Sequence, residues 1–91
     1  MTNDKISTRV EMRPSVVAGG TANLYTVMPQ NEIVMLTVID VAGRQLWSQF
    51  MSLGKGEYYT PMSVSRLSKG MYYMKVTSND GISTVLSFIK N

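Results

Sequence analysis

Apolar residues recur on a period of two and are interrupted every few positions, which commits the chain to short strands. The runs fall at residues 8–12, 22–28, 32–40, 45–51, 57–62, 71–77 and 82–90. Pro14, Ala18-Gly19-Gly20, Pro29-Gln30-Asn31, Ala42-Gly43, Gly54-Lys55-Gly56 and Asn79-Asp80-Gly81 separate them, with a crossover at residues 64–69. These residues turn a chain for distinct reasons. Glycine takes a positive φ, proline cannot donate to a ladder, and asparagine and aspartate bond their own backbone. No stretch carries a helical period. Seven strands spaced by roughly 8–12 residues predict an all-β, immunoglobulin-like antiparallel β-sandwich.

Within that pattern the strand at 32–40 stands out. Ile33, Val34, Met35, Leu36, Val38 and Ile39 are nearly continuous, which predicts a central strand with its second face partly covered. Pro61 marks the run at 57–62 as an edge or irregular strand. The expected core comprises Leu24, Leu36, Val38, Leu46, Tyr72, Val76, Leu86 and Phe88. The eight methionines, Trp47 and five tyrosines read first as adaptable core filler and second as a binding face.

Composition narrows the function. Ninety-one residues make one domain that buries about 60–65% of its unfolded surface. The chain has no cysteine and no histidine, so it lacks a thiolate ligand and the commonest general base. Its six carboxylates are scattered singly, and it has neither a Gly-x-Ser-x-Gly elbow nor a phosphate-binding glycine loop. Asn79-Asp80 offers two oxygen side chains where calcium takes about 6–8 ligands. No catalytic residue, cofactor or metal is expected.

The net charge is +3. Acids and bases cancel over residues 1–45, and the excess lies in residues 46–91. The cations are single and mostly beside turns, without a basic stripe interleaved with aromatics, so neither nucleic acid nor a small-molecule substrate is expected. Residues 1–7 lack the apolar run of a signal peptide; if the domain works outside the cell, its export signal is expected upstream in a longer precursor. Residues 1–8 read as a linker remnant or disordered start, and 9–91 as the domain.

Two motifs remain. In Ile39-Asp40-Val41-Ala42-Gly43-Arg44, Asp40 is placed to accept turn amides and Gly43 to adopt a left-handed conformation. Leu67-Ser68-Lys69-Gly70-Met71-Tyr72 has the form of a tyrosine corner, with the ring in the core and the hydroxyl on a backbone group of the preceding connection. Together with Ser83-Thr84-Val85-Leu86-Ser87-Phe88-Ile89-Lys90, the order of these motifs resembles the type A C-terminal sorting domain of the type IX (Por) secretion system. The resemblance runs over roughly residues 9–91. Ile39 stands where that family has an aromatic, and Arg13-Pro14-Ser15 keeps one proline of its opening segment.

The resemblance implies a secretion signal covalently continuous with an upstream cargo domain. Such a signal travels through the periplasm, meets the outer-membrane translocon and its carrier, and reaches the cell surface or the medium, usually losing the signal to a surface sortase. It implies Pro14, Asp40, Gly43, Arg44, Gly70, Tyr72 and Lys90 as recognition residues or as the geometry behind recognition, with Lys90 an exposed charge near the end. The competing class is a non-catalytic immunoglobulin-like adhesion or carbohydrate-binding module using Trp47 or Tyr59 as a stacking platform. A third class is a purely structural spacer or a dimerisation unit acting through an edge strand, that is, an edge-strand dimer.

Overall fold

The computed structural model describes residues 8–91; the expected linker falls largely on residues 1–7, outside them. Eight strands form: β1 (Arg9–Arg13), β2 (Val16–Val17), β3 (Thr21–Met28), β4 (Glu32–Asp40), β5 (Gln45–Leu53), β6 (Gly56–Ser63), β7 (Gly70–Ser78) and β8 (Ser83–Lys90). A three-stranded sheet, β1-β3-β6, packs on a five-stranded sheet, β2-β8-β7-β4-β5. All pairings are antiparallel except β2 with β8. This is the expected sandwich with one strand more than the seven predicted.

The extra strand has a local cause. Pro14 ends β1 in the small sheet, and the chain then crosses to the large one, where Val16 pairs with Ile89 and Val17 with Lys90. Strands that change sheets at a bend are a common way to close a sandwich corner. Two residues are too few to carry a period, so β2 leaves no separate mark in the sequence.

Alternation puts the core between the sheets. Leu24, Leu36, Val38, Val76, Phe88 and Tyr72 are buried, and Leu86 is half-buried against them. Met12, Met28, Met62 and Met74 are buried too, which gives half of the methionines the filler role expected of them. β6 is the edge of the small sheet, as Pro61 implied.

Two expectations need correction. Leu46 is 40% exposed. Trp47 pairs with Val38 and Gln45 with Ile39, so Leu46 is the additional residue of a β-bulge. Trp47, Met51 and Leu53 face the core, so alternation already keeps the adjacent Leu46 off it, and the bulge leaves Leu46 without a partner on β4. β4 is central, between β7 and β5, yet it alternates: Val34, Leu36 and Val38 are buried while Ile33 is 66% exposed. No further layer covers that side among the described residues. Only Thr37, Ile39 and Asp40 toward its end are half-buried.

Candidate functional site

The register brings the motif residues to one end of the sandwich. β4 ends there at Asp40, and β7 starts there at Gly70, which pairs with Lys90 at the finish of β8. β6 leaves at the same end into the crossover, tied by the Val64 amide to the Gly20 carbonyl at 2.8 Å. Pro14 lies in the arch that follows β1. Next to it, the Ser15 carbonyl accepts the Ile89 amide at 2.8 Å, and the Val17 carbonyl accepts the Asn91 amide at 2.9 Å. β1 begins at the opposite end, with Arg9 paired to Val27.

Asp40 organises the β4–β5 turn. Its Oδ1 accepts the amides of Ala42 and Arg44, both at 2.9 Å, and its Oδ2 accepts Arg44 Nε at 2.8 Å. The Arg44 amide, then the Arg44 side chain and the Ala42 amide, hold the Asp40 carboxyl below the usual carboxylate range, against partial burial that pushes it up. Gly43 has φ +86°, which a side chain would strain. The Asp40 side chain is only 12% exposed, whereas that of Arg44 is 79% exposed. The turn therefore sequesters the acid and presents the base.

The tyrosine corner forms as expected. Tyr72 is buried, its hydroxyl donates to the Ser68 carbonyl at 2.7 Å, and its ring stacks on Phe88 with centroids 5.7 Å apart. Gly70 has φ +153°. A methyl group there would meet only ordinary contacts, so backbone conformation and not space favours glycine at the start of β7.

Lys90 is not the exposed charge that the sequence suggested. It is half-buried, and its ammonium donates to the carbonyls of Val64 and Leu67 at 3.3 and 3.2 Å. The Leu67 amide in turn donates to the Val64 carbonyl at 3.0 Å. Lys90 thus clamps the last strand onto the crossover that leads into the corner.

A groove of about 420 Å³ opens at this end, lined by Asp40, Arg44, Arg66, Lys69, Gly70 and Tyr72 among others. Arg66 and Lys69 are exposed on its rim with Arg44. Sequence reading missed Arg66 and Lys69 as a pair with Arg44. They lie more than twenty positions away, and only the β4–β7 register joins the two turns.

A second cluster was also missed. On the outer face of the small sheet, the Arg13 guanidinium lies 3.8 Å above the Tyr25 ring and donates to Glu11 and to the Tyr59 hydroxyl. The Tyr25 hydroxyl donates to Glu57, and that bond, with burial, raises its pKa. Tyr59 belongs to this closed network, with its ring against that of Tyr25. Trp47 faces a different groove, between β5 and β6. Trp47 and Tyr59, the alternative residues for a stacking platform, therefore lie on separate surfaces.

The family model described as secretion system C-terminal sorting domain matches residues 20–91 of this sequence. The chain belongs to that family. It is a type IX secretion sorting signal, a class that is generally non-catalytic and marks its cargo for export from the cell through the secretion machinery. The matched span contains the Asp40 turn, the tyrosine corner and Lys90, while the Pro14 segment lies ahead of it. No curated protein matches the chain.

Proposed function

We propose that this sorting domain is read at its motif end by the outer-membrane translocon and its carrier after its cargo has crossed the periplasm. The observation that carries the reading is the convergence of the residue 40–44 turn, the tyrosine corner and Lys90 on one end, while β1 starts at the other. An upstream cargo joined ahead of β1 leaves that end unobstructed. Asp40, Gly43, Gly70, Tyr72 and Lys90 act as the geometry that fixes the end. Pro14 bends the chain into the strand that pairs with β8. Arg44, Arg66 and Lys69 are the exposed cations that an anionic receptor surface would contact, with rate more than affinity depending on such rim charges. Removal by a surface sortase follows delivery. A cut ahead of β1 would free the cargo without disturbing the motif end.

A fusion of the chain to a periplasmic reporter, in a host with this secretion system, tests the reading. The double variant Arg66→Glu, Lys69→Glu changes only exposed side chains and should hold the reporter in the periplasm. Lys75→Glu, also exposed but in the middle of β7, is the control and should reach the surface. Equal delivery of both, with circular dichroism showing both folded, contradicts recognition at this end.

A further inference from the structure

The sandwich has four lateral edges, and three are protected. β1 carries Arg9, Glu11 and Arg13, and it lies against β8, closing that side. β8 has β2 seated on its end. β6 contains Glu57 and Pro61. Charge, proline and coverage are the usual means by which proteins keep a strand edge from pairing with another chain.

β5 has none of these. Its nine residues, Gln45–Leu53, include no charge and no proline, and among the described residues only β4 pairs with it. The bulge at Leu46 disturbs one end, leaving residues 47–53 in regular register with β4. On the outer face of that segment Phe50 is 71% exposed. Beneath its first half, a groove of about 740 Å³ runs between β5 and β6, with Trp47, Met62, Val64 and Leu67 among its lining. A long, uncharged and apolar edge beside an open flank is a site for strand addition.

We infer that β5 pairs antiparallel with β5 of a second copy of this chain, about a two-fold axis at Phe50, to give a continuous ten-stranded sheet. The segment is self-complementary in that register. Phe50 faces its own counterpart on the outer side, with Ser48 opposite Ser52 of the second copy on either flank. On the inner side Trp47 comes opposite Leu53, and Gln49 opposite Met51. No ionisable side chain meets another within the seven pairs, although the chain as a whole is cationic, so nothing in the seam opposes association. Directly opposed aromatics are among the favourable cross-strand pairs, and the second sheet prolongs the roof of the groove beside Trp47. A seam of seven residue pairs is small for an interface, which puts the dimer in the weak, concentration-dependent class. Antiparallel pairing also directs the two motif ends to opposite poles, so the dimer presents one such end to any single surface.

Sedimentation equilibrium of the chain from micromolar to near-millimolar concentration should show a monomer–dimer equilibrium. Phe50→Lys sets two ammonium groups face to face and should leave monomer throughout, with an unchanged circular dichroism spectrum because Phe50 is largely exposed. The chain has no cysteine, so oxidative cross-linking gives a second, independent readout. Phe50→Cys should form a covalent dimer much faster than Ile33→Cys, which is similarly exposed but displaced from the axis. A wild type that stays monomeric over the whole range, a dimer that survives Phe50→Lys, or equal cross-linking of the two cysteine variants overturns the inference.

Discussion

Replacing Lys90 should destabilise the fold far more than an ordinary surface change. Its ammonium holds two crossover carbonyls at 3.2 and 3.3 Å. Hydrogen bonds to charged groups are worth about 1.5–3 kcal/mol each at good geometry. These two are longer than the roughly 2.7–2.9 Å of a strong charge-assisted bond, and the side chain is only half-buried. Lys90→Met keeps the aliphatic stem and drops the ammonium, with an expected loss of about 1–2 kcal/mol. Lys90→Glu sets a carboxylate against two carbonyl oxygens and should cost about 2–3 kcal/mol. For a domain of this size each kcal/mol moves Tm by about 4–8 °C. Thermal melts followed by circular dichroism should therefore rank wild type above Lys90→Met above Lys90→Glu, with gaps of several degrees. If Lys90→Glu stays within the roughly 0.5 kcal/mol typical of surface substitutions, the clamp contributes nothing and Lys90 returns to being a free charge. The ranking also decides how export data are read, since a secretion defect in Lys90→Glu reports recognition only after the folded fraction has been matched.

Three further outcomes are expected. Tyr72→Phe removes only the bond to Ser68 and should cost about 1 kcal/mol, whereas Tyr72→Ala also empties the Phe88 contact and should cost about 3–5 kcal/mol; equal losses in chemical denaturation would refute the corner. Thr26 Oγ1 is buried in β3 without a hydrogen-bond partner among the described residues, so the near-isosteric Thr26→Val should raise stability by about 1 kcal/mol, and a lower Tm would show that the hydroxyl is satisfied. The Asp40 carboxyl is held low chiefly by the Arg44 amide and side chain, so its contribution is present at neutral pH and lost as pH falls through its folded-state pKa. Asp40→Asn should therefore lower Tm at pH 7 and flatten the acid limb, while Glu11, held low by Arg13, keeps part of the slope; an unchanged limb would contradict the Asp40 assignment.

Much of the fold was legible because its determinants are local. Alternation places Leu36 and Val38 inward, Asp40 and Gly43 define a turn within a few residues, and Gly70 and Tyr72 set the corner at close spacing. What escaped depends on distant register. Leu46 and Phe50 form one apolar alternation of β5 and Trp47, Met51 and Leu53 the other, and only the register with β4 turns the second set inward. Lys90 reads as a polar end residue, and its role appears only when the crossover carbonyls come beneath it. Arg13, Tyr25 and Glu57 are polar or amphipathic residues on three strands, and only the pairing of β1 and β6 with β3 stacks them. The candidate site divides the same way. Its conformational residues are short motifs, whereas the partnership of Arg44 with Arg66 and Lys69 exists only in three dimensions.

Surface delivery of a passenger tests the central claim most directly. The chain is fused behind a folded reporter carrying its own export signal and expressed in a host with the type IX system and in an otherwise identical host lacking the translocon. The account predicts protease-accessible reporter at the surface or in the medium of the first host and folded reporter confined to the periplasm of the second. Reporter retained in the periplasm of both hosts, or released equally from both, would contradict it.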